Sequence, residues 1–347
     1  MNPNTLYPVD RIRAYCEQCV VHLGVPPADA ATLVDVLLEA DMRGKGSHGI
    51  LRLPHYCDRL RNGTTNARPR MRFDDRTPAA SILYADDALG HVAAVRAMEH
   101  AVQRAKTSGV SAVAVVESSH FGFAGYYSEV AAREGALGLA MTHTDTNTVP
   151  FGAKAPYFGS NALSFSAPTG LEYPVTIDFC CAKISYGKIY DAKARGVQLP
   201  EQSALDAHGR WTRDPNEAEY LCSAAEHKGF GLAMMIEILC AMLTGIPFCR
   251  HITSMYDEMD KPPKLGHFLF AIDVAHFSDL EAFKTNMHRM IAEIHALPPA
   301  DGVDHPRVHG EQSHRNKQRS MAEGIAIHPA VLSELVDLGE EAGLAFP

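Results

Sequence analysis

The chain of 347 residues is 46% hydrophobic, enough for a large core and two or three sub-domains, and its formal net charge is −9. Its most basic stretch, 59–76, is interrupted by Asp74 and Asp75, so no cationic footprint for nucleic acid forms. No apolar run follows Met1 and none is long enough to cross a bilayer, so the chain is expected in the cytoplasm with neither a nucleic-acid nor a membrane partner.

In chain order, Val9 to Leu23 repeats apolar residues at helical spacing and Gly24 follows as a C-cap. Pro26-Pro27 breaks the chain before a second amphipathic helix over Ala28 to Met42, and a third runs from Ile50 to Leu60. Strand Ala79–Tyr84, helix Gly90–Thr107, the β-branched strand Val110–Val116, helix Ala124–Glu134 and strand Leu137–Met141 then alternate, the signature of an α/β sheet with crossover helices. Strands are expected near Pro174–Ile177 and Phe268–Val274, and helices at Ala182–Lys193, Gly229–Leu243 and Leu280–Ile294. The polar stretch 196–218 reads as a surface excursion, and 298–315 as a Pro/Gly/His loop ahead of short C-terminal helices. This divides into a helical region 1–72, an α/β region 73–275 and a C-terminal helical region 276–347 that packs back on the first.

The 8 cysteines follow no framework spacing and are expected as thiols; Cys16-x-x-Cys19 lies in a helical pattern without redox context. His305, His309 and His314, even with Cys249 and His251, match no zinc spacing, so no metal is expected.

Gly44-Lys45-Gly46-Ser47-His48-Gly49 matches a dinucleotide fingerprint literally. A helix precedes it, however, and no acidic strand end follows, so a Rossmann unit is excluded. Ligands of open α/β sheets gather at strand carboxyl ends, and two such tails, expected to be adjacent and able to hold one small polar ligand, are rich in polar groups. One is Glu117-Ser118-Ser119-His120, and the other Thr142-His143-Thr144-Asp145. Ser47, His48 and Arg52 add a hydroxyl, an imidazole and a guanidinium, the last suited to a carboxylate. Lys228-Gly229-Phe230-Gly231 opens a helix whose N-terminus favours an anion.

Together these segments resemble the type 2 malate/L-lactate dehydrogenase family. The resemblance is carried by Ala40-Asp41-x-Arg43-x-x-x-Ser47-His48-Gly49-x-x-Arg52, Ser119-His120-Phe121-Gly122 and Val149-Pro150-Phe151-Gly152. It continues through Gly159-Ser160-Asn161, Lys228-Gly229-Phe230-Gly231-Leu232 and Gly310-Glu311 to Glu323-Gly324-Ile325. Ser254-Met255-Tyr256-Asp257 and Met98-Glu99-His100-Ala101 resemble its ureidoglycolate dehydrogenase branch. The resemblance implies a mixed-sheet, non-Rossmann nicotinamide-binding α/β fold, a homodimer, and NAD as cofactor with NADP as the alternative. It implies hydride transfer at C2 of a small 2-hydroxy or 2-oxo acid, ureidoglycolate leading, or alternatively reduction of a cyclic 2-imino acid (a ketimine). His120 and His48 would be catalytic, Ser47, Arg52 and His143 would line the substrate pocket, and Thr144, Asn161, Asp178, Phe179, Cys180 and Lys228 would meet the cofactor. This chain departs from the family at Phe179-Cys180-Cys181-Ala182, where hydroxyl side chains are common, and at Ala162, where proline often follows the asparagine.

Overall fold

The computed structural model describes residues 5–347, without the side chains of residues 191, 194 and 195. It opens with a short strand β1 (Leu6–Tyr7) and three helices, α1 (Val9–His22), α2 (Pro27–Met42) and α3 (Leu53–Arg61). Pro27 starts α2 where a missing N–H costs nothing. Ile12, Cys16 and Val20 repeat every four residues and bury one stripe of α1 against Leu33, Leu37 and Leu38 of α2.

The central part follows as β2 (Arg72–Thr77), β3 (Ala80–Ala88), α4 (Gly90–Ser108), β4 (Val110–Ser118), α5 (Gly125–Arg133), β5 (Ala136–Thr142), β6 (Thr148–Val149), β7 (Ala162–Ala167) and β8 (Val175–Cys180). Then come α6 (Tyr186–Arg195), β9 (Ala204–Leu205), β10 (Trp211–Thr212), β11 (Tyr220–Cys222), α7 (His227–Glu237) and β12 (Leu265–Asp273). The chain ends with α8 (Leu280–His295), α9 (Glu311–Glu323), β13 (Ile325–Ala326) and α10 (Pro329–Glu341).

A seven-stranded sheet of order β2-β3-β4-β12-β5-β7-β8 forms the middle layer. Ala93, Ala97, Ala101 and Ala105 are fully buried at helical spacing, and their small size lets α4 lie close to this sheet. Within this sheet only β3 and β4 pair in parallel. The sequence suggested that β4 and β5 end side by side, but β12 runs antiparallel between them, with Phe268 opposite Ala114 on one side and Met141 on the other. His267 fills the resulting gap at the strand ends, bridging Ser118 Oγ (2.9 Å) and Thr142 Oγ1 (2.8 Å).

Two strands of this sheet escape the hydrophobic pattern. β2 is a charged edge strand, which needs only one covered face. β7 carries serines whose buried hydroxyls are satisfied internally: Ser164 and Ser166 meet Ser128 at 2.7 and 2.8 Å. The expected excursion at 196–218 supplies strands to a second sheet of order β10-β9-β11-β6. Helix α6 begins at Tyr186 rather than at Ala182, and the expected loop at 298–315 is already helical from Glu311. Helix α7 widens into a π-helical turn over Ile238–Met242 directly after Glu237. The last elements return to the first: β13 pairs with β1, and Leu332, Leu335 and Leu338 of α10 join the core of α1 and α2.

All eight cysteines are thiols, seven of them buried. Among the described residues no helix is long and apolar enough to cross a membrane.

Candidate active site

The segment after α2 supplies one wall of a deep cavity. Gly44, at φ 78°, lets the chain leave the helix, and two 3₁₀ turns follow at Gly46–His48 and Ile50–Arg52. Asp41 holds this segment, its Oδ2 accepting the Ile50 N–H at 2.7 Å. A Cβ on Gly49 would stand 2.0 Å from Asp41 Oδ1, so the carboxyl group occupies the space a side chain would need. Burial raises the Asp41 carboxyl to about 7, and the Ile50 N–H opposes that rise.

So held, the segment aims three side chains inward. Ser47 Oγ meets His48 Nδ1 at 2.9 Å. Arg52 donates from Nε to the Ser47 carbonyl (2.9 Å) and from Nη1 to the Tyr256 hydroxyl. No carboxylate of the described residues pairs with Arg52, which leaves part of its donor fork for a ligand. Burial, then Arg52 and Lys45, lowers His48 to about 4, so its ring is neutral near pH 7.

His120 arrives from the end of β4. Ser119 pins this tail by donating to the Ala88 carbonyl (3.0 Å) and accepting the Gly90 N–H (2.9 Å). The Tyr56 hydroxyl lies 2.7 Å from His120 Nδ1, and the Gly122 N–H donates to the same nitrogen at 3.3 Å. A backbone N–H can only donate, so Nδ1 accepts and the neutral ring carries its proton on Nε2, the nitrogen left for a ligand. The His48 and His120 rings stack with centroids 5.9 Å apart. Burial, followed by the charges of His48 and Arg52, keeps His120 well below the usual imidazole range. Behind them His91 is fully buried, neither ring nitrogen has a hydrogen-bond partner, and burial lowers it to about 3.

The β5 tail contributes differently from what the sequence suggested. His143 is fully buried: its Nε2 accepts the Gly266 N–H at 2.8 Å, so Nδ1 carries the proton toward Glu237 at 3.1 Å. Both ring nitrogens are spent and the ring does not line the cavity, which corrects its expected place at the substrate. Asn161 is likewise fully buried, donating to Glu237 (2.9 Å) and Ala233 O (3.1 Å) and accepting the Thr144 N–H (3.1 Å). It supports the Thr144 loop and keeps no free polar atom for direct contact with a ligand. Thr144 itself reaches the cavity, and its Oγ1 is buried with no hydrogen-bond partner. Gly159 permits this approach, since a Cβ there would stand 2.2 Å from that oxygen.

One cavity of about 370 Å³ thus gathers Ser47, His48, Arg52, His120 and Thr144 with Tyr56, Asp145 and Tyr256. Asp178 lies outside it, in a neighbouring groove with Lys45, Arg307 and His309, and pairs with Lys45. Phe179 is 40% exposed, Cys180 turns its thiol toward Ala182 O (3.5 Å), and Lys228 is exposed in the first turn of α7; none of them lines the cavity. The sequence reading missed Tyr56, although it sits one helical turn beyond Arg52. Asp145, beside Thr144, belongs to the tail already singled out but was given no role of its own. Tyr256 and Arg59 carried no local signal, because their contacts join segments some 200 positions apart.

Residues 7–336 match the profile of a malate/L-lactate dehydrogenase family. The chain is 35% identical to ureidoglycolate dehydrogenase (NAD(+)) of Escherichia coli, covering 92% of each chain. Its fold matches that of sulfolactate dehydrogenase from Methanocaldococcus jannaschii with a TM-score of 0.92 and 31% identity over 99% and 98% of the two chains. It also matches delta1-piperideine-2-carboxylate reductase from Pseudomonas syringae, with a TM-score of 0.86 and 27% identity over 96% and 100%. With its mixed, non-Rossmann sheet and a family profile matched over nearly its whole length, this chain belongs to the malate/L-lactate dehydrogenase family of oxidoreductases.

Proposed function

We propose that this protein transfers a hydride between a nicotinamide cofactor and C2 of a small 2-hydroxy or 2-oxo acid, with His120 as general acid/base. The observation that carries this reading is the arrangement of His120 and Arg52 on one cavity. Two donors engage Nδ1 of His120 and leave Nε2 for the ligand, while Arg52 keeps donors for its carboxylate. The relative that works with NAD(+) on ureidoglycolate supports NAD as cofactor and ureidoglycolate as a candidate substrate, with NADP as the alternative cofactor.

The chain fits such a cofactor at Thr144, which lines the cavity and whose hydroxyl has no partner within the protein. Asp178, Phe179, Cys180 and Lys228 would hold its remaining parts, with Asn161 fixing the Thr144 loop. The nicotinamide, when bound, supplies or takes the hydride. Arg52 orients the acid through its carboxylate, and His48 with Ser47 packs beside it. Protonated on both nitrogens, with Nδ1–H turned to the Tyr56 oxygen, His120 gives its Nε2 proton to the oxygen on C2 as the hydride arrives, and takes it back in the reverse direction. In the ligand-free cavity the charge of Arg52 disfavours imidazolium at His120. A carboxylate bound to Arg52 offsets that charge, so substrate binding itself raises the proton affinity of the acid/base.

A second reading, reduction of a cyclic 2-imino acid, draws support from Asp145, a cavity carboxylate with no cation paired to it among the described residues. The likeness to piperideine-2-carboxylate reductase agrees with it. The homodimer expected from the resemblance has a suitable face on α7 and its π-helical turn, where Met234, Met235, Ile238, Met242 and Leu243 are exposed. The eight free thiols agree with a reducing, cytoplasmic setting.

The test is turnover of NADH or NADPH with 2-oxo acids, with and without methylamine, with cyclic imino acids, and of NAD with ureidoglycolate. Turnover that falls about 100-fold or more in His120→Ala is expected. Failure of the protein to bind either nicotinamide overturns the proposal.

A further inference from the structure

Arg52 and Asp145 both line the cavity, Arg52 with no carboxylate paired to it and Asp145 with no cation within ion-pair distance, among the described residues. Arg59, the other guanidinium lining the cavity, is 2% exposed. It donates to the carbonyls of Lys261 (2.9 Å), Ser254 (3.2 Å) and Met255 (2.7 Å), which holds the 254–261 segment in place. That segment in turn fixes Asp145, whose Oδ2 accepts the Met255 N–H at 3.1 Å. The fourth charged group on the cavity is a second carboxylate, Asp257, which accepts from Ser254 Oγ at 2.8 Å. His48 and His120 are neutral near pH 7 and add no positive charge.

This lining suits a ligand that carries both a carboxylate, for Arg52, and a hydrogen-bond donor, for Asp145. A second anionic group would be brought toward Asp145 and Asp257, which Arg59, its Nη groups spent on backbone carbonyls, only partly offsets. We propose that Asp145 is the specificity-determining residue of this cavity: it selects 2-oxo or 2-imino acids that carry an N–H group and disfavours those with a second anionic group. The inference rests on the proposed hydride transfer at C2, and it sets this chain apart from the relative named for sulfolactate, which is a dianion.

Two isosteric pairs test it. The first is 2-oxosuccinamate against oxaloacetate, which differ only in amide versus carboxylate; piperideine-2-carboxylate is the cationic arm of the same assay. With NADH or NADPH, kcat/KM is expected to be at least about tenfold higher for the amide than for oxaloacetate. Asp145→Asn keeps the shape and the acceptor for Met255 N–H, and it should shrink that ratio about tenfold, chiefly by raising the rate on oxaloacetate. A wild-type preference for oxaloacetate, or a ratio unchanged in Asp145→Asn, overturns the inference while leaving the dehydrogenase reading intact. The second pair is oxamate against oxalate, bound to the NADH-mixed protein and followed by thermal shift, which needs no turnover. If no member of the first pair reacts, the proposed substrate reading fails. Tighter oxamate binding, reversed or levelled in Asp145→Asn, then still upholds the charge selection, and equal or tighter oxalate binding in the wild type refutes it.

Discussion

Replacing Glu237 by glutamine changes one oxygen for one NH₂ group, far enough from the ligand to touch nothing there, yet it should loosen the cavity. Glu237 is fully buried and faces donors only: His143 Nδ1 (3.1 Å) and Cys249 N–H (2.7 Å) at Oε1, and Asn161 Nδ2 (2.9 Å) at Oε2. Burial raises its carboxyl, but the donors from His143, Cys249 and Asn161 outweigh that and hold it below the usual range. A glutamine NH₂ in the place of Oε2 opposes the Asn161 NH₂; turned over, it opposes His143 and Cys249 instead. Asn161 cannot flip to relieve this without presenting NH₂ to the Thr144 N–H and oxygen to Ala233 O. At least one buried donor therefore goes unsatisfied, at about 1–3 kcal/mol, and the surviving charge-assisted bonds lose roughly half their strength. The expected loss is about 2–4 kcal/mol, one unsatisfied buried donor plus the weakened bonds. The assay is the denaturant midpoint together with nicotinamide affinity by fluorescence, which should weaken about tenfold as the Thr144 loop is released. A variant with both quantities at wild-type values refutes the reasoning.

Tyr56→Phe keeps the ring against His91 and removes only the hydroxyl at His120 Nδ1, so kcat/KM should fall about tenfold, one hydrogen bond's worth, with nicotinamide affinity unchanged. Arg52→Lys should raise KM about 10- to 100-fold with a smaller effect on kcat, because an ammonium cannot form the fork; equal losses in both would argue against a binding role. Gly49→Ala forces the Asp41 carboxyl away from the Ile50 N–H, and a loss of roughly 2–4 kcal/mol by denaturant titration is expected, with activity falling in the residual folded protein. Acid should destabilise the fold, because His48, His91 and His267 have folded values of about 4, 3 and 3 against about 6.5 unfolded. Their neutral forms stabilise fully above pH 6.5, and that contribution falls by ~4 kcal/mol per pH unit as pH drops toward 4. Asp41, raised to about 7, works in the opposite direction between pH 7 and 3.8 and offsets roughly a third of that slope, while His55 and His120, also lowered by burial, add to it. A flat unfolding midpoint between pH 6.5 and 4.5 would contradict this.

Local chemistry already reads out much of the molecule. Helices α1, α2 and α4 declare themselves through apolar spacing and their prolines and glycines, and β4 through its β-branched run, because these are neighbour effects along the chain. Ser47, His48, Arg52 and His120 are legible for the same reason, since each sits at a turn or strand end whose punctuation is local. What lay beyond reach depends on segments that meet only on folding. The insertion of β12 between β4 and β5 needs a strand from more than a hundred residues downstream, and its register puts His267 where two tails were expected to touch. A strand of serines such as β7 can be buried only because partners on α5 and β8 satisfy its hydroxyls. Residue type alone made His143 as plausible a ligand group as His120. The tertiary structure separates them by what each nitrogen finds: two protein partners at His143, and at His120 a tyrosine and a backbone N–H on one side and an open cavity on the other.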